Sequence, residues 1–178
     1  MSFPTDASPT PSQDAFDRAR EFFATGVQML ASGHLDKAEQ AFLASLALLP
    51  DRASTLTNLA AVRVRLGNPA GALQVAEQAL RQERKNGDAW FHGAEALALL
   101  GRHQEALQAF ANAGQLNNAA MPWYRHGQVL QDLERDEEAL QSYERAIAAD
   151  PAFPPAWTNN GNILREHSRL AEAAQALR

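Results

Sequence analysis

The chain has no cysteine. That excludes disulfides, thiolate metal sites and a cysteine nucleophile. No apolar run approaches the roughly 20 residues that a membrane span needs. The opening residues, MSFPTDASPTPSQD, have no basic start followed by an apolar core, so they are not a secretory signal. Positive charge is in deficit: 16 Lys and Arg stand against 21 Asp and Glu, for a net charge of −5. A general nucleic-acid binder needs a basic face that releases counterions, and this balance argues against one. A cytoplasmic protein with neither nucleic acid nor membrane as partner is the resulting expectation.

Catalytic and metal motifs are missing as well. The chain contains no G-x-S-x-G, no phosphate-cradling glycine loop and no H-E-x-x-H. Its five histidines lack the converging short-range spacing of a zinc site. The acidic run Glu134, Asp136, Glu137 and Glu138 lacks the spaced ligands and central glycine of a calcium loop, and it suits a helix N-terminus instead. No enzyme, cofactor or metal is expected within these residues. β-branched residues are scarce while alanine and leucine abound, which favours helix because straight or small side chains lose little freedom there.

What the chain does have is a repeat, the feature to seek first in any sequence. A large apolar residue opens a helical pattern at Phe22, Leu56, Trp90, Trp123 and Trp157, at spacings of 34, 34, 33 and 34. Four residues later lies a small one: Gly26, Ala60, Ala94, Gly127 and Gly161. Ala38, Ala72, Ala106, Ala139 and Ala173 follow in the same register, then Phe42, Ala76, Phe110, Tyr143 and Leu177. The one missing residue falls in GQLNNAAMP, between Ala113 and Trp123. Each unit reads as helix A, a tight turn and helix B. Gly33, Gly67 and Gly101 suit the left-handed turn that ends helix A, whereas Glu134 and Ser168 stand at that place in the last two units. The pattern predicts A helices over about 15–32, 53–66, 87–100, 120–133 and 154–167. It predicts B helices over about 35–48, 69–82, 103–116, 136–149 and 170–178, after a disordered Pro/Ser/Thr-rich tail over residues 1–13.

In these residues the chain resembles the tetratricopeptide repeat family, whose unit is 34 residues in two antiparallel helices. The resemblance covers about residues 15–178. It implies an all-α, right-handed solenoid of antiparallel helix pairs with about 4.5–5 repeats: 19–52, 53–86, 87–119, 120–153 and an incomplete 154–178. Small residues let the helices cross closely, and Phe22, Trp90, Trp123, Trp157, Phe42, Phe110 and Tyr143 are expected to fill the gaps between them.

The resemblance also implies a concave surface lined by the A helices and a protein or extended peptide as partner. The inward positions include Asn58 in the second unit; Phe91, His92 and Glu95 in the third; Tyr124, Arg125 and Gln128 in the fourth; and Asn159 and Asn162 in the fifth. Amides meet both the donors and the acceptors of an extended backbone. Asn58, Gln128, Asn159 and Asn162 are therefore the expected backbone holders, with Phe91 and Tyr124 as stacking surfaces. The two-carboxylate clamp of chaperone-tail receptors is absent, because Phe23, Val27, Asp88 and His92 occupy clamp positions. PAFPPAWTNNGNILRE is similar in texture to the repeats of the O-linked N-acetylglucosamine transferase family, in which inward asparagines hold peptide backbones. Only Asn58 and Asn159 match that ladder.

The last unit is cut short with Leu170, Ala173, Ala174 and Leu177 still forming an apolar stripe, where solenoids normally carry a polar cap. Three expectations follow: that the natural polypeptide continues; that this end mediates homo-oligomerisation as an alternative function; or that the array is the substrate-recruiting arm of a larger transferase-like enzyme. Sequence beyond position 178 decides the first and third. For the core itself, Trp123→Ala is predicted to destabilise the fold by roughly 3–5 kcal/mol, measured by chemical denaturation.

Overall fold

The computed structural model of the chain describes residues 12–176, with side chains as far as Ser168. The expected disordered tail therefore lies almost wholly outside the described residues. Its last two positions are ordered: the Ser12 side chain accepts from the Ala15 amide and caps a helix that begins at Gln13.

The described residues form an all-α solenoid of antiparallel helix pairs. The A helices are α1 (Gln13–Ala31), α3 (Ala53–Arg65), α5 (Gly87–Leu99) and α7 (Ala120–Asp132). The B helices are α2 (Leu35–Leu48), α4 (Pro69–Gln82), α6 (His103–Asn117) and α8 (Asp136–Ala149). α9 (Pro154–Ala176) closes the chain. Each helix packs on its successor, and α3 also packs on α5 across one unit. The A helices thus line one side of the stack and the B helices the other.

The turns follow from backbone chemistry. Gly33, Gly67 and Gly101 take φ of +76°, +74° and +74°. The residue after each glycine donates its amide back across the turn to the helix it leaves, His34 to Met29, Asn68 to Arg63 and Arg102 to Leu97. Glu134 adopts the same left-handed conformation at φ +57° despite its Cβ, and Arg135 donates to Leu130 in the same pattern. Ser168 does not. α9 runs straight through it, and the Ser168 hydroxyl donates to the Leu164 carbonyl. The expected turn there and the separate helix over 170–178 are thus replaced by one continuous helix. Without glycine the left-handed turn costs about 1–2 kcal/mol, and continuing the helix avoids that cost. The expected stripe of Leu170, Ala173, Ala174 and Leu177 lies outside the described side chains.

The core is built where a ring meets a residue with little or no side chain. A Cβ placed on Gly26 would lie 2.5 Å from the Phe42 ring, and one on Gly127 would lie 2.5 Å from the Tyr143 ring. Phe42, Phe110 and Tyr143 are fully buried, as expected. The tryptophans divide. Trp123 is 7% exposed, lying against Gly114 with the Arg145 guanidinium 4.8 Å from its ring centre. Leu80 and Ile147 occupy the place of Gly114 in the flanking units. There Trp90 and Trp157 stand further out, and each donates its indole N–H at 3.0 Å to a loop carbonyl, of Arg84 and Pro151 respectively. Trp157 is 55% exposed, which corrects its expected place in the core. α9 does not turn back to lay a second helix over it. The missing residue is absorbed between α6 and α7, where Asn118 takes a left-handed conformation at φ +46° and the loop shrinks to Asn118 and Ala119.

Two glycines should respond oppositely to alanine. A Cβ on Gly93 meets only the Ala76 Cβ, at an ordinary 3.5 Å. Gly93→Ala should stabilise by about 1 kcal/mol through helix propensity. Gly127→Ala should destabilise by about 1–2 kcal/mol because the buried Tyr143 ring must move. Urea denaturation followed by circular dichroism distinguishes the two.

Candidate functional site

The A-helix side of the third and fourth units carries a row of polar side chains that crosses from α5 to α7. His92 Nδ1 lies 3.1 Å from Glu95 Oε2, one turn along α5. The other carboxylate oxygen of Glu95 faces Arg125 Nη2 on α7 at 3.9 Å. Arg125 donates to Gln128 Oε1 at 3.0 Å, and Gln128 Nε2 donates to the Tyr124 hydroxyl at 3.1 Å. Five of the nine residues expected to bind a peptide thus form one connected row. Beside it lies an open cleft of about 410 Å³. Glu95, Arg125 and Gln128 line the cleft with Val64 and Leu99, and Leu99 is 61% exposed.

The rings beneath are fixed by packing. Phe91 meets Phe110 edge-on at 5.8 Å, and Tyr124 lies 5.4 Å from Phe153 and 5.8 Å from Tyr143. Both are half-buried, so each offers an edge and not a whole face.

The asparagines lie apart from this row. Asn58 donates within its own helix to the Ser54 carbonyl at 2.9 Å. Asn159 donates to the Tyr143 hydroxyl at 3.2 Å, and that hydroxyl donates in turn to Gln131 Oε1. Burial holds the Tyr143 phenol up to about 12, so it remains a neutral donor. Asn159 therefore clips α9 to the fourth unit. Asn162 accepts from Arg165 at 2.7 Å on the exposed side of α9. Leu99 and Asp132, which also line the cleft, escaped the sequence reading. Both stand one helical turn beyond a chosen residue, after Glu95 and Gln128, so extending each stripe by four positions would have found them.

Behind the row, His126 is packed against α8. The Ser142 hydroxyl donates to the Glu138 carbonyl at 2.9 Å and accepts from His126 Nδ1 at 2.8 Å. Burial, with the Arg145 and Arg135 charges nearby, pushes His126 from 6.5 down to about 4.

Residues 57–120 and 124–178 match the family profile described as tetratricopeptide repeat. The chain belongs to the tetratricopeptide repeat family. No curated protein matches it in sequence. Among solved structures it is similar to the MamA protein, with a TM-score of 0.75 and 22% identity over 90% of this chain and 88% of that one. It is also similar to PilF of Pseudomonas aeruginosa, with a TM-score of 0.78 and 18% identity over 92% of this chain and 75% of that one. A third is YrrB, described as a TPR protein with an unusual peptide-binding site, with a TM-score of 0.69 and 23% identity over 82% of this chain and 75% of that one. Likeness at these identities establishes a shared repeat fold. Among the described residues no helix is long and apolar enough to cross a membrane.

The depressed His126 gives a signed prediction. The folded state binds this proton more weakly than the unfolded chain, so the stability present above about pH 6.5 is lost as pH falls towards 4. His126→Leu, the residue that the second unit carries at this place as Leu59, should flatten that part of the curve. Thermal melts of both proteins between those pH values measure it.

Proposed function

We propose that this chain is a protein-interaction scaffold that holds an extended peptide segment along the A-helix side. The observation that carries this reading is the row from Glu95 through Arg125 and Gln128 to Tyr124, beside the cleft with exposed Leu99. The Glu95–Arg125 approach of 3.9 Å is longer than a hydrogen bond, so both groups keep capacity for a ligand. An arginine, a carboxylate and an amide brought together from two neighbouring A helices can satisfy the donors and acceptors of a peptide backbone. Leu99 and Val64 then receive an apolar side chain. Asn58 and Asn162 are the further contacts proposed towards the two ends of the track, and Phe91 and His92 those beside Phe110 and Glu95; Asn159 spends its amide on the Tyr143 hydroxyl. The peptide-binding site named for YrrB, a protein of the same fold, supports the reading.

A second reading rests on a different observation. Trp157 and Leu164 of α9 are 55% and 52% exposed, an apolar face that suits self-association through this end. Light scattering on the eluting protein separates the two, and a strict monomer at high concentration counts against self-association.

The groove reading is tested with Arg125→Glu combined with Tyr124→Ala, in a pull-down from the source cell. Partner capture should fall roughly tenfold or more, since a charged hydrogen bond and a ring are both lost. An unchanged helical circular dichroism spectrum shows that the variant is folded. Full retention of every partner removes the support for this groove.

A further inference from the structure

A cleft of about 690 Å³ lies on the opposite side, between the B helices α4 and α6 with α5 as its floor. Its origin is legible in the repeat. Three residues after the large apolar residue that opens each unit, the second unit has Leu59 and the fourth has His126. Leu59 is fully buried, and His126 fills its place by bonding to Ser142. The third unit has Gly93 there. The B-helix residue at the place of Ser142 is Val75 in the second unit and Ala109 in the third. Where the second unit pairs leucine with valine and the fourth pairs histidine with serine, the third pairs glycine with alanine. Both Gly93 and Ala109 line the cleft.

The walls define a ligand chemistry. Leu73, Leu80, Trp90 and Leu97 make an apolar interior of a size that takes a bulky side chain. On the rim, Arg102 is held by Glu105 through two hydrogen bonds of 2.7 Å, with the Glu77 charge acting on it as well. Arg81 and Arg84, next to Trp90, have no carboxylate at ion-pair distance among the described residues. That end of the cleft is cationic and uncommitted.

We propose that this cleft is a second binding site, on the B-helix side of the third unit, that takes a bulky apolar or aromatic side chain adjoining a carboxylate from a partner protein. Gly93 and Ala109 make room for the side chain, and Arg81 and Arg84 pair with the carboxylate. The site is separate from the A-helix groove, so a partner can engage both faces.

The probe is 3-phenylpropionate, compared with 3-phenylpropylamine, titrated into the full ¹⁵N-labelled chain and followed by NMR. The carboxylate should shift the Trp90 indole N–H and the Gly93 amide with a Kd on the order of 1 mM, the range open to so small a ligand. The amine should bind at least about fivefold more weakly. Gly93→Leu with Ala109→Val, which restores the pair of the second unit, should abolish the shifts; Gly93→Ala, which adds one methyl at ordinary contact distance, should weaken them if the double variant does not fold. Arg81→Ala with Arg84→Ala should remove the preference for the carboxylate. Absence of shifts at Trp90 and Gly93, equal binding of acid and amine, or shifts that survive filling of the cleft overturn the proposal. Arg125→Glu leaves these readouts unchanged if the two sites are distinct, whatever becomes of the A-helix groove.

Discussion

A ring on one helix lies against bare backbone on the next, and the stack is organised around that contact. Phe42 presses on Gly26, and Tyr143 on Gly127, at distances that leave no space for a methyl group. Close approach of this kind sets how near helices A and B lie, and hence how tightly each pair seals. A pair so sealed still has an open apolar face, which the next pair must cover. The polar row of the A side exists because units three and four are drawn together by this stacking. Glu95 and Arg125 belong to different repeats, and neither has the other as a neighbour in sequence.

The repeat tolerates variation only where a neighbour compensates for it. Gly114 replaces a large residue, and Trp123 sinks into the space that this opens. In units that keep Leu80 or Ile147, Trp90 and Trp157 remain at the edge and spend their indole N–H on a loop carbonyl. At Gly93 no neighbour moves in. Ala109 opposite is small as well, and a cleft remains. Substitution for a smaller residue thus has two outcomes in one chain, a buried tryptophan and an open site. The difference lies in whether a flexible large side chain stands within reach.

Much of this was legible in the sequence. The 34-residue register placed eight helices to within a few residues, and the glycines at 33, 67 and 101 marked turns that all take positive φ. It also placed His92, Glu95, Tyr124, Arg125 and Gln128 on one surface, because residues three and four apart share a helix face. It failed at Ser168, where a periodic pattern called for a turn that backbone strain disfavours and α9 continues instead. It also left open which polar residues are spent internally. Asn159 has the composition of a peptide holder, yet its amide reaches the Tyr143 hydroxyl, and that depends on where a neighbouring unit puts its ring.

What the sequence determined by itself is therefore periodic and local: helix lengths, turn positions, the small-against-large alternation and the absence of cysteine chemistry. Each follows from a residue and its neighbours within about one turn. The tertiary structure alone decided which side chains of different repeats meet. It joined Glu95 to Arg125, buried Trp123 while leaving Trp157 exposed, and left the space beside Gly93 empty. These outcomes depend on how far and at what angle one helix pair sits on the next, and that geometry is a property of packed surfaces, not of any single repeat.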